Sequence, residues 1–252
     1  MNKTIGNKIK YLDSVDSTNN YLKALYADHK PDEGLLIFTK TQLSGRGQQE
    51  NNWESETNKN LLFSFIIYPT FLKADAQFIL SKVISLAIVD FISQHVSNVH
   101  IKWPNDIYVG NKKIAGVLIE NTIKGSKISS SIIGIGININ QENFSDNTPN
   151  AVSLTMLTKK TYNINEHLQS LISNLNVWYN TLLLGHTAEI NNLYLNSLFR
   201  YNQTHNYVVA GKKIKGKIIG IDPNGRLIIE IQNEGVRVFA FKEIEYCFEN
   251  SN

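Results

Sequence analysis

The stretch from Val99 to Asn140 constrains the fold more than any other part of the chain. Four extended runs, Val99 to Trp103, Asp106 to Val109, Lys113 to Asn121 and Ser129 to Asn140, follow one another closely. Only Pro104-Asn105, a Gly110-Asn111 turn and a Lys124-Gly125-Ser126 turn separate them. Turns this short join antiparallel neighbours. A largely antiparallel sheet is therefore expected.

The flanking sequence alternates strands with helices and then changes texture. Lys8 to Ser14 reads as a strand, and Ser17 or Thr18 can cap a helix through Asp28 with Tyr21, Leu22, Leu25 and Tyr26 on one face. Strands follow at Gly34 to Lys40 and at Asn60 to Tyr68, the second ended by Pro69. Ala74 to Val96 has the apolar spacing of the longest helix. Beyond the sheet, Asn165 to Leu184 and Thr187 to Phe199 read as two more helices. From Asn206 the chain holds only short strands, with turns at Asp222-Pro223-Asn224-Gly225 and Asn233-Glu234-Gly235. The reading is an α+β domain over 1–203 with a mixed, largely antiparallel sheet, then a small all-β barrel over 204–252.

Composition narrows the class. At 252 residues and 42% hydrophobic, the chain can bury a full core. Cys247 is its single cysteine, so no intrachain disulfide can form, and the polar, lysine-bearing start does not resemble a signal peptide. A reducing cytoplasm is the simplest setting. Leu61 to Tyr68 is too short to span a bilayer, and Phe78 to Ile92 is interrupted by Lys82, Ser85 and Asp90, so no membrane segment is expected. A net charge of +3 falls short of a dedicated nucleic-acid domain. Lys212, Lys213, Lys215 and Lys217 read as a solvated strand edge, where lysines block aggregation.

Four stretches break the pattern of ordinary core segments. Thr41 to Trp53, TQLSGRGQQENNW, is a polar loop with Arg46 between Gly45 and Gly47 and a tryptophan at its end. Lys102-Trp103-Pro104-Asn105-Asp106 is a proline-fixed insert that must expose an ammonium, a carboxamide and a carboxylate. Lys112-Lys113-Ile114-Ala115-Gly116 brings a lysine pair into an apolar strand with small residues at its start, which lets a ligand lie against the backbone. Gly134-Ile135-Gly136-Ile137-Asn138 puts two glycines on one strand face. Each weakens the strand by roughly 0.5–1 kcal/mol relative to alanine, so something is expected to pack flat there. Taken singly, each stretch also reads as a turn, a solvated loop or a packing feature.

In order, the set Asp16-Ser17-Thr18-Asn19, Gly45-Arg46-Gly47 with Trp53, Lys102 to Asp106, Lys113 to Gly116 and Gly134 to Asn138 closely resembles the signature of biotin protein ligases. The resemblance runs from about Tyr11 to Asn140. It implies a sheet-and-helix fold like that of class II aminoacyl-tRNA synthetases, followed by a small SH3-like barrel. It also implies a reaction, in which ATP and biotin give biotinyl-5′-adenylate and the acyl group passes to a lysine of a biotin carboxyl carrier protein or domain of a biotin-dependent carboxylase. The biotin set would be Ser17, Thr18, Asn19, Gln42, Gly45, Arg46, Gly47, Gln48, Lys113, Gly116 and Gly136. Lys113 and Arg46 would carry the catalytic charge. Trp53, Lys102, Asn105 and Asn138 would face ATP, and Gly116 and Gly136 would leave room for the bicyclic ring. Mg²⁺ should bridge the phosphates, with Asp106 as the candidate ligand. The polar loop, unable to fold on itself, would close as a lid over the adenylate.

The sequence departs from that pattern in the loop. Many relatives carry further arginines and a third glycine where this chain has Gln48, Glu50 and Asn51. More of the electrostatic load then falls on Arg46, Lys102 and Lys113. Three alternatives stand beside the ligase. A lipoate or octanoate ligase shares the fold and the adenylation logic, but a straight-chain acid does not need the polar set at Ser17, Thr18 and Gln42. A ligase-repressor would need a helix-turn-helix module before Asp16, where no room is seen, so no DNA partner is expected. A non-catalytic binding module is the third. The reading allows a monomer or a homodimer.

Overall fold

The computed structural model describes residues 4–48 and 51–248. Its first half builds a sheet from β1 (Ile9–Val15), β2 (Leu36–Gln42), β3 (Leu61–Ile67), β4 (Val99–Lys102), β5 (Asp106–Val109), β6 (Lys112–Lys124) and β7 (Lys127–Ile137). The strand order is β1-β2-β3-β7-β6-β5-β4. The turn-linked strands β4 to β7 are antiparallel, as their short connections require. Among the described strands of this sheet only β1 and β2 pair in parallel, and helix α1 (Thr18–Asp28) provides the crossover between them.

Helices cover both faces of this sheet. On one face α1 sets Leu22 against Ile37, Ile66 and Ile132. On the other lie α2 (Phe78–Ser93), α4 (Ile164–Leu183) and α5 (Thr187–Asn196), with the main core between them and the strands. Burial on both faces explains why β3, LLFSFII, is apolar nearly throughout. Ser64 is its one polar residue and turns toward α1.

Sequence and structure differ at several elements. Gly34 sits at φ +81° in a turn, so β2 starts two residues later and reaches Gln42. A short helix, α3 (Leu154–Thr158), was not expected; Ser153 caps it by accepting from the Met156 amide. Ala74–Ser93 is in fact apolar and long enough to cross a bilayer, yet 67% of it is buried inside the fold as a core helix.

The C-terminal strands β8 (Thr204–Val209), β9 (Lys212–Ile221), β10 (Leu227–Ile231), β11 (Gly235–Phe239) and β12 (Glu245–Tyr246) form a second antiparallel sheet, ordered β11-β10-β9-β8-β12. Among the described residues β11 and β12 do not pair, so the sheet is open where a closed barrel was expected. The lysine-rich strand β9 is also not an edge. It pairs with β10 on one side and β8 on the other; Lys212, Lys213 and Lys215 are exposed and Lys217 pairs with Glu230 at 2.7 Å.

Two contacts tie this sheet to the first. Trp103 Nε1 donates to the Gly225 carbonyl at 2.8 Å, and that glycine, at φ +85°, lets its turn press on Phe78. Tyr108, Phe199, Tyr246 and Phe248 form an aromatic seam with ring centroids about 6 Å apart.

Candidate active site

The glycines of β6 and β7 define the floor of the site. Gly116 pairs with Gly136 and Leu118 with Gly134. A Cβ on Gly134 would stand 2.3 Å from Asn19 Oδ1, and one on Gly136 would stand 2.4 Å from the Trp53 indole. At Gly116 the same ring would be 3.0 Å away. Something does pack flat on this face, but it is not an empty ring slot. Trp53 itself covers Gly116 and Gly136, which corrects the expectation that these glycines leave free space.

The polar loop also differs from expectation, because its described residues do fold on themselves. Gly47 donates to the Asn51 carbonyl at 2.6 Å, Trp53 donates to the Gly45 carbonyl at 2.9 Å, and Arg46 bridges Asn52. The result is a small hairpin that aims the indole at the glycine floor. Gly45 lies at its base, where a Cβ would be 2.5 Å from the Trp53 carbonyl. Glu50 lies outside the described residues.

At one end of the floor, a chain of hydrogen bonds runs from strand to helix and back. Each hydroxyl has one proton, which fixes the direction. The Thr18 amide donates to Gln42 Oε1 at 2.9 Å, Ser64 spends its proton on Asn19 Oδ1 at 2.5 Å, and the Thr18 hydroxyl donates to Ser64 Oγ at 2.6 Å with Gln42 Oε1 as a second acceptor at 3.1 Å. Asn19 Nδ2 then donates to Glu120 Oε2 at 2.8 Å. Gln42, whose Nε2 donates to no described residue, lines the cavity. Ser17, buried at the N-terminus of α1, makes no side-chain cap bond.

Glu120 gathers cations at this end. Lys23 and Arg46 reach its Oε1 at 2.5 and 3.2 Å, and Arg46 also donates to Asn20 at 2.7 Å. Burial opposes the charge on Glu120, but hydrogen bonds from Lys23 and Asn19 and the charges of Lys23 and Arg46 outweigh it and hold the carboxyl below its ordinary range. Arg46 is thus held beside α1 and not at the lysine end, where its catalytic reading had placed it.

The other end carries the lysines. Lys113 opens β6 and pairs with Asp106 Oδ1 at 2.7 Å; its ammonium is 5.7 Å from the centre of the Trp53 ring. Lys102 is half-buried and lies over the rings of Tyr246 and Tyr108. Burial pushes its ammonium toward neutrality, Lys113 and Arg200 add to that, and Asp106 opposes it. Asn105 spends its carboxamide on the Val117 carbonyl. Among the described residues no three His, Cys, Asp or Glu side chains cluster as a metal site, and Asp106 already faces an ammonium. A resident Mg²⁺ therefore does not fit here.

Two cavities meet at Trp53 and Lys113. The first, about 260 Å³, is lined by Ser17, Thr18, Asn19, Gln42, Arg46, Gly47, Gln48, Trp53, Lys102, Asn105, Asp106, Lys113, Gly116 and Gly136, so it gathers all the expected site residues except Gly45 and Asn138. The second, about 720 Å³, lies between that wall and residues 144–151, and Asn138 lines it. Among the described residues Asn138 Oδ1 and Trp53 Nε1 are buried without hydrogen-bond partners. The sequence reading missed Ser64, Glu120 and Phe241, which lines the first cavity from the C-terminal part of the chain.

Residues 11–138 match the model of the biotin/lipoate A/B protein ligase family. The chain belongs to that family. It is 28% identical over 250 residues to the bifunctional ligase/repressor BirA of Bacillus spizizenii, spanning 96% of this chain and 75% of that protein. The BirA of Escherichia coli is 30% identical over 152 residues, 60% of this chain and 46% of that one. In fold, the chain is similar to the biotin protein ligase of Aquifex aeolicus in complex with biotin and ATP, at a TM-score of 0.79 and 24% identity, over 96% of this chain and 100% of that one. The matched segment carries every candidate site residue named above except Phe241.

Proposed function

We propose that this protein is an ATP-dependent biotin protein ligase, with 1–203 as its catalytic domain and 204–252 as a small companion. A biotin carboxylate oxygen attacks the α-phosphorus of ATP, and pyrophosphate leaves. The amine of a carrier lysine then attacks the acyl carbon of the mixed anhydride, and AMP leaves with the bonding pair. No protein nucleophile is required.

The observation that carries this reading is the polarity of the first cavity. One end presents Gln42 Nε2 and the Thr18–Asn19 network, groups that suit a neutral ureido ring, and the other presents Lys102 and Lys113. Two anions must approach each other in the first step, so fixed cations at the point of attack offset their repulsion and favour the transition state. Lys113 must exchange Asp106 for phosphate as it does so. The nucleotide occupies the second cavity, which Trp53, Lys113 and Asn138 line. Mg²⁺ arrives on the phosphates as MgATP.

The acceptor is a biotin carboxyl carrier protein or domain, and the lone Cys247 supports a reducing, cytoplasmic setting. Mass spectrometry of a carrier domain tests the reading, after incubation with MgATP and biotin, lipoate or octanoate in turn. Biotinyl addition is expected with biotin alone. Modification by octanoate or lipoate instead would replace the substrate assignment.

A further inference from the structure

Lys113 and Lys102 hold their charges in opposite ways. Lys113 has a carboxylate at 2.7 Å. The Lys102 ammonium has no ion pair and no hydrogen bond among the described residues, although it is half-buried. What it has is two aromatic faces, with ring centres 4.8 Å away at Tyr246 and 5.4 Å away at Tyr108. A ring quadrupole attracts a cation without neutralising it. All three ammonium donors thus stay available to an anion.

The nearer ring does not belong to the large sheet. Tyr246 is in β12, the last strand of the second sheet, and is fixed there by pairing with Tyr207 and by edge contact with that residue's ring at 5.5 Å. Phe199 packs on it at 6.1 Å, and the Arg200 guanidinium lies 5.9 Å from the same ring. Its hydroxyl is buried and unpartnered, so hydrogen bonding does not explain a tyrosine here. The ring face is the part that meets the Lys102 ammonium.

We propose that Tyr246 is a positioning residue for adenylation: its ring, delivered by the second sheet, holds the Lys102 ammonium at the cavity without a contact ion pair, as a cation for the nucleotide phosphates. This rests on the functional reading above. It gives the C-terminal sheet a part in the chemistry without contact to the reacting atoms.

The test is a cycle of Tyr246→Leu, Tyr246→Phe, Lys102→Met and Tyr246→Leu/Lys102→Met, with calorimetric affinity for MgATP and for biotin, pyrophosphate release and a melting curve for each. Tyr246→Leu is expected to weaken MgATP about tenfold and leave biotin affinity unchanged, and Tyr246→Phe to keep both. In the Lys102→Met background the leucine change should add less than about twofold, because its effect passes through the lysine. If leucine prevents folding, Tyr246→Met fills the space without a ring and takes its place. An equal loss in both backgrounds, or a parallel loss of biotin and MgATP affinity, would mean that Tyr246 only supports the fold. An unaltered MgATP affinity in Lys102→Met would overturn the proposal at its lysine. Absence of pyrophosphate from the wild-type protein would remove the functional reading instead, and the MgATP titrations would still decide the coupling.

Discussion

The two ends of the glycine floor differ in how far their polar groups are satisfied before any ligand arrives. Around α1 a continuous chain of hydrogen bonds runs from Gln42 Oε1 through Thr18, Ser64 and Asn19 to Glu120. Around the start of β6, Asn138 Oδ1 and Trp53 Nε1 are buried without partners and Lys102 has only ring faces. A satisfied network is rigid and presents one geometry. Unpaired buried groups cost free energy that a ligand can recover. On the proposed reading, the first end selects the acid and the second takes the nucleotide.

The strongest way to break this comparison is Lys113→Ala. Pyrophosphate release should fall by about 10²–10³-fold, the cost of losing one fixed charge-stabilising donor, while biotin affinity changes little. Equal losses in both would show that the two ends do not act separately. Next come two alanines on one strand, two residues apart. Gly134→Ala forces its Cβ on Asn19 and Gly136→Ala forces its Cβ on the indole. Each should cost about 1–3 kcal/mol. The first is expected to appear in biotin affinity and the second in MgATP affinity, and calorimetric titration that finds the same pattern for both would end the division. Smaller again is Ser64→Ala, which removes the donor to Asn19 and leaves the Thr18 hydroxyl only its longer bond to Gln42 Oε1 at 3.1 Å. A loss of about 1–2 kcal/mol in stability, with weakened biotin and unchanged MgATP binding, is expected from chemical denaturation and titration.

What the sequence disclosed and what it hid follow from the range of the forces involved. The hairpins from Val99 to Asn140 were legible because Gly110-Asn111 and Lys124-Gly125-Ser126 act locally. Alternation along Lys212 to Lys217 shows a solvated face, but it cannot tell a central strand from an edge, because pairing partners are remote. Glycine alternation showed that something lies on β7, though not that it is Trp53 from a loop more than 80 residues earlier. Arg46 turns to Glu120, 74 residues away, and nothing near Gly45 points there. Ser64 did leave a signal: a single hydroxyl inside LLFSFII must find a partner if the run is buried on both faces.

Glu120→Gln gives the finest measure of the acid end. In the folded protein its carboxyl titrates below its ordinary 4.5. A depressed carboxyl contributes stability that is present above the unfolded value and lost as pH falls through the folded one. Wild-type melting temperature should therefore drop as pH is lowered below about 4.5, and the variant's drop should be shallower. Asp13, Asp16 and Asp222 are also depressed and titrate in both proteins, so only the difference between the two curves reports on Glu120. At neutral pH the loss should be no more than about 1 kcal/mol, since Lys23 and Arg46 are 44% and 40% exposed and solvent screens the pairs. Curves that run parallel through that window would mean that Glu120 orders neither Arg46 nor Asn19 through its charge. The rigidity of this end would then rest on the neutral links through Thr18 and Ser64 alone.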